Sequence, residues 1–175
     1  DLFSQAEHDE LAQPILISSN SQVLKNVQDS INKLLPSMLR KEIISRSINN
    51  RGIFIKTKNN REICKIVNDI APEHLELMSK DYKILLKSIH NAGAIFLGEY
   101  SPEVFGDYCA GPNHVLPTSG SARFSSPLGV EDFQKRSSLI NVSKKTALEL
   151  SKISISMALS EGLQAHALSA KLRGK

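Results

Sequence analysis

Long apolar runs are missing from this sequence, and none approaches the roughly 20 residues that a membrane-spanning helix requires, so no membrane partner is expected. Cysteine is scarce. Cys64 and Cys109 stand far apart, which excludes a disulfide framework and a cysteine-based zinc site and points to a reducing, cytoplasmic location. No internal repeat or low-complexity tract interrupts the chain, and no charged-then-apolar leader opens it, which argues against secretion. Charge of one sign is also lacking: 22 Lys and Arg against 18 Asp and Glu leave +4, spread along the chain, which does not imply a nucleic-acid partner. What remains is ordinary for a globular protein, with 41% apolar and 23% charged residues, and 175 residues suffice to bury a real core. The opening Asp1-Leu-Phe-Ser reads as the interior of a longer protein.

The apolar spacing alternates between two periods. Ser4-Gln-Ala-Glu7 fits a capping box, which predicts a short helix with Gln5 and His8 on one face of its first turn. Ile15-Leu-Ile17 reads as a buried strand, and Val23, Leu24, Val27, Ile31, Leu34 and Leu35 recur at helical spacing before Pro36. Gly52–Thr57 is a second strand and Asn60 to Ile70 a second helix. His74–Met78 is a third strand, Asp81 caps a helix with Tyr82, Leu85, Leu86 and Ile89, and Gly93–Leu97 is a fourth strand. Such alternation predicts an α/β domain, part of a mostly parallel, Rossmann-like sheet with helices on both faces, over residues 1–128. Residues 129–175 read as a mainly helical, dimer-forming region. A short helix is expected from Val130 to Arg136, a strand at Leu139–Val142, and a long helix capped by Ser143. In that helix Leu150, Ile153 and Met157 form one apolar stripe and Leu148, Ile155 and Leu159 another, which suggests a partner subunit on one of them. Glu161-Gly162 breaks the helix, which resumes from Leu163 to Arg173.

The stretch Gly106–Thr118 combines Gly106, Gly111, Pro112 and Pro117 with Asp107 and His114. Glycine and proline at this density make an ordered loop, and a loop that follows a strand of a parallel sheet leaves it at the edge where ligands bind. The plain alternative is a structural turn with a solvated histidine. Pro72-Glu-His-Leu75 sets two common general bases side by side, Glu73 and His74; on a straight strand they would face opposite sides and form no hydrogen-bonded dyad. At a strand entrance bent by Pro72 both could line one cleft and serve different steps, the plain alternative being a surface dipeptide. Gln5, His8, Asp107 and His166 offer oxygen and nitrogen donors of the kind zinc takes, though no compact motif links them. His90 reads as solvated at a helix end.

Taken together, Asp1–His8, Ala71–Leu75, Phe96–Pro102, Gly106–Thr118, Asp132–Arg136 and Glu161–His166 resemble the carboxyl-terminal part of the histidinol dehydrogenase family, in the family's order and end to end. The resemblance implies oxidation of L-histidinol through L-histidinal to L-histidine with NAD, the last step of L-histidine biosynthesis. It implies one zinc ion per subunit held by Gln5, His8, Asp107 and His166, with His166 supplied by the second subunit of an intertwined homodimer. Glu73 and His74 would handle protons. The substrate would lie against Gln5, His8, His74, Asp107, Glu161, His166 and His114. No glycine-rich dinucleotide fingerprint occurs, so no cofactor-binding residue is assigned and this chain alone is expected to be inactive. A non-catalytic α/β binding or interaction module derived from such an enzyme is the alternative, and a zinc hydrolase using Glu73 is a third reading.

Overall fold

The computed structural model describes residues 1–174, and the chain divides into two compact units, Asp1–Phe133 and Gln134–Lys175. The first unit opens with α1 (Leu2–Ala6), β1 (Ile15–Ser18), α2 (Ser21–Leu34) and α3 (Lys41–Arg51). Asn20 caps α2 by accepting the Gln22 amide at 2.9 Å, and Pro36 turns the chain into a short 3-10 segment directly after it. Helix α3 has no counterpart in the sequence reading. Its residues include a polar run, Ser45-Arg46-Ser47 and Asn49-Asn50-Arg51, that weakens the apolar period, yet Ile44 and Ser47 are fully enclosed and Ser47 Oγ donates to Ala12 O at 2.9 Å. Helix α1 packs on α3 and buries Ala6 there.

The chain continues through β2 (Ile53–Lys56), α4 (Asn60–Ile70), β3 (His74–Leu77), α5 (Tyr82–Leu86), β4 (Ala94–Leu97) and α6 (Glu103–Tyr108). The strands pair in parallel, Ile15 beside Ile53 in one pair and His74 beside Ala94 in the other. They form two separate two-stranded sheets where the pattern suggested one, because apolar spacing identifies strands but leaves their pairing to contacts distant in sequence. Parallel strands alternating with helices nevertheless make the unit α/β. The main core gathers Cys64 and Val67 of α4, Leu77 of β3, Leu85 of α5 and Ile89, with Ile17 of β1 packed against them. Cys64 Sγ–H donates to Leu85 O, burial raises its thiol pKa, and both cysteines are free. Asn68 ties the end of α4 to the turn entering β4: its amide donates to Ser88 O, and its carbonyl accepts the His90 and Asn91 amides.

Four local expectations are corrected. Helix α1 has Asp1 at its N-cap and ends at Ala6, so Ser4 lies inside it and His8 beyond its carboxyl end; Ser4 Oγ donates to Asp1 O at 2.6 Å rather than capping Glu7. Gly106, Asp107 and Tyr108 belong to α6, so only the later part of Gly106–Thr118 is a loop. Leu139–Val142 is not a strand; a strand there needs a neighbour for its backbone groups, and none pairs with it among the described residues. The expected helix at Val130 is one 3-10 segment, Val130–Phe133.

In the second unit Ser143 caps α7 (Lys144–Ser160), accepting the Thr146 amide at 3.2 Å, and α8 (Gln164–Arg173) packs against it. Gly162, at φ 75°, makes the break between them. Among the described residues only small ones are enclosed, namely Ser151, Ala158 and Ala167, while Leu150, Ile153, Met157 and Leu159 stay exposed.

Candidate active site

The site is built where β3, β4 and α6 meet. Helix α4 ends at Ala71 in the left-handed conformation (φ 52°, ψ 64°), and Pro72 then holds the chain extended into β3, whose first residue is His74. Gly93 lets the partner strand approach closely: a Cβ there would stand 2.6 Å from Glu73 O, and its amide donates to Pro72 O at 2.9 Å. After β4, Pro102 forms the N-cap of α6, and Glu103 occupies the first turn, where the helix dipole favours an acid. The Glu103 amide donates to Glu76 Oε1 of β3 at 2.8 Å, which fastens α6 to the strand. Four-residue spacing sets Glu103 and Asp107 on one face of the helix. Gly106 sits against Phe96, since a Cβ on it would fall 2.7 Å from the ring.

That face meets His74. Nε2 lies 3.6 Å from Glu103 Oε1 and 3.8 Å from Asp107 Oδ1, with the three side chains only 17, 11 and 22% exposed. Both ring nitrogens of His74 are enclosed and have no hydrogen-bond partner among the described residues, and Phe96 lies 6.2 Å from the ring centre. Donor atoms of His74, Glu103 and Asp107 all fall within 4.8 Å of one another, so the three could share a metal ion or a proton. Burial, then the neighbouring Asp107 and Glu76 carboxylates, push the Glu103 carboxyl up to about 7. A cavity of about 700 Å³ opens in front, walled by His74, Phe96, Phe105, Asp107, His114 and Leu116 among others. Its lining is mainly apolar with a few convergent polar groups, the character of a small-molecule site.

Of the residues singled out in the sequence, His74, Asp107 and His114 share this cavity, and His114 is exposed at it. Glu73, half-buried, precedes β3 and is not among the lining residues, so the single cleft expected to hold both Glu73 and His74 is lined by His74 alone of the two. Gln5 lies in α1 and His8 just after it, exposed; neither belongs to the three-residue cluster. Glu161 and His166 are exposed in the second unit, at the end of α7 and in α8. Sequence reasoning missed Glu103. Its signal was available: Pro102 opens a helix, and Glu103 and Asp107 stand four residues apart.

Comparison with known proteins then decides the family. The profile of the histidinol dehydrogenase family matches residues 1–174. This chain belongs to that family. The histidinol dehydrogenase of Dechloromonas aromatica is 61% identical over 173 residues, which is 99% of this chain and 40% of the relative. That of Burkholderia lata is 57% identical over 175 residues, 100% of this chain and 40% of the relative. The crystal structure of histidinol dehydrogenase from Elizabethkingia anophelis superposes with a TM-score of 0.91 at 32% identity, over 98% of this chain and 40% of that one. The chain thus spans about 40% of the length of the family members it matches.

Proposed function

We propose that this chain is the carboxyl-terminal part of a zinc- and NAD-dependent dehydrogenase that oxidises L-histidinol through L-histidinal to L-histidine. The observation that supports this best is the approach of His74 to Asp107, at 3.8 Å, on the wall of an apolar cavity in a chain of this family. His74 accepts the substrate hydroxyl proton as the carbinol carbon is oxidised, using a ring nitrogen that has no hydrogen-bond partner among the described residues. The second oxidation acts on a hydrated aldehyde, and Glu73 activates the water that forms it. Two steps with different proton requirements suit two adjacent bases that do not touch.

The donor set fits a borderline divalent ion. Asp107 offers a carboxylate at the cavity, His8 an accessible imidazole, and Gln5 an amide oxygen, with His166 assigned to the second subunit of a homodimer. Such an ion, when bound, supplies charge and a template that orients the alcohol. Glu161 and His114 are assigned to the substrate. NAD is assigned to the rest of the enzyme, since the chain spans only about 40% of its relatives and has no dinucleotide fingerprint.

The test uses the complete enzyme. With zinc and NAD it should convert L-histidinol to L-histidine with two NADH formed per product, and it should hold about one zinc per subunit, as one shared-ligand site requires. His166→Ala should empty the site. Absence of NADH formation refutes the activity, and zinc retained after His166→Ala refutes the ligand set.

A further inference from the structure

We propose that Glu103 is a positioning residue for His74, holding the imidazole in its working orientation from behind the cavity wall; this rests on the reading of His74 as the base. The two side chains are the least exposed of the cluster, at 11 and 17%, and Oε1 faces Nε2 at 3.6 Å. Glu103 is not among the residues that line the cavity, whereas His74 and Asp107 are, so its carboxyl reaches substrate only through them. Its backbone is fixed twice, by its place in the first turn of α6 and by the 2.8 Å bond from its amide to Glu76 Oε1. Glu76 lies in the same strand as His74, so strand and helix are tied one step from the imidazole. The groups that meet the ring are Glu103 and Asp107 from α6 and Phe96 from β4, with Glu76 one contact further out, on Glu103. Among these Glu103 is the acid that is both enclosed and withdrawn from the cavity. At 3.6 Å the contact is slightly longer than a hydrogen bond, and a small ring rotation closes it, as catalytic contacts often do when substrate arrives. A carboxylate there fixes the ring and stabilises the imidazolium formed when His74 takes a proton, in the way an acid orients a catalytic histidine elsewhere.

Two variants of the complete enzyme test this. E103Q keeps the shape and removes the charge, while E103D keeps the charge and withdraws the carboxyl by one methylene. For E103Q, kcat on L-histidinol should fall about 10-fold or more, the scale on which supporting groups act, with KM changed by less than about 2-fold. Zinc content should hold and the melting midpoint should not drop, and E103D should recover part of kcat. Wild-type kcat in E103Q overturns the proposal, as does a loss confined to KM or to zinc content, which would place the action of Glu103 on Asp107. Collapse of the melting midpoint in both variants also overturns it, by making the residue structural. A wild-type enzyme that turns over while E103Q is unimpaired sinks this inference alone; a wild-type enzyme inert towards L-histidinol sinks the proposed function as well.

Discussion

Replacing Glu103 by glutamine should make the metal-free protein more stable at pH 8 than the native sequence, with the advantage disappearing at acid pH. The reason is the raised carboxyl, moved from its usual 4.5 to about 7 chiefly by burial and then by Asp107 and Glu76. A folded state that holds this proton more tightly than the unfolded chain binds more protons between pH 4.5 and 7, so its stability declines as pH rises through that window. Below 4.5 both states are protonated and the group is silent; above 7 the full penalty is present. At about 1.36 kcal/mol per pH unit the penalty is roughly 2 to 3 kcal/mol, the lower figure allowing for screening at the solvent-touched edge. Glutamine removes the ionisation and keeps the shape. Urea unfolding at pH 4.5 and pH 8, with chelator present, measures the difference between variant and native sequence at each pH. That difference should grow by about 2 to 3 kcal/mol in favour of E103Q between the two. A difference that stays constant, or moves the other way, would show that Glu103 ionises as an ordinary surface acid and that the buried cluster is wrongly described.

Other outcomes follow from single contacts. Thr57 is 2% exposed and its hydroxyl has no partner among the described residues, so Thr57→Val should be neutral or stabilising by about 1 kcal/mol in chemical denaturation, and a loss would reveal a missed partner. Gly106→Ala should drive a methyl to within 2.7 Å of the Phe96 ring and cost about 1 to 3 kcal/mol while displacing Asp107. Melting curves and zinc titration follow both effects, and Phe96→Leu in the same chain should restore part of each.

How much was legible beforehand depended on whether a feature is local. Val23 to Leu35, and Ile63 with Ile66 and Val67, carry a clean helical period, and α2 and α4 lie where that period sets them. Pro72-Glu-His74 marked the entry to β3, and the Ser143 cap and Gly162 break framed α7. Helix α3 escaped because its polar residues blur the period, and its helicity rests on packing against α1 and Ala12. The capping box at Ser4 failed because the same residues also support a helix begun at Asp1.

The sequence by itself determined which chemical groups are present, the alternation of β1 to β4 with α2, α4 and α5, and the family, because those depend on residue type, near-neighbour spacing and ordered stretches. Only the tertiary structure decided the partners. That the described strands divide into two pairs, and that a one-turn step on α6 carries both Glu103 and Asp107 towards His74, depend on contacts between residues 20 or more apart, as the pairing of His74 with Ala94 and the bond of Glu103 to Glu76 illustrate. Spacing along a chain does not encode such contacts; burial of apolar surface, and the need to satisfy the polar groups carried inward with it, select them.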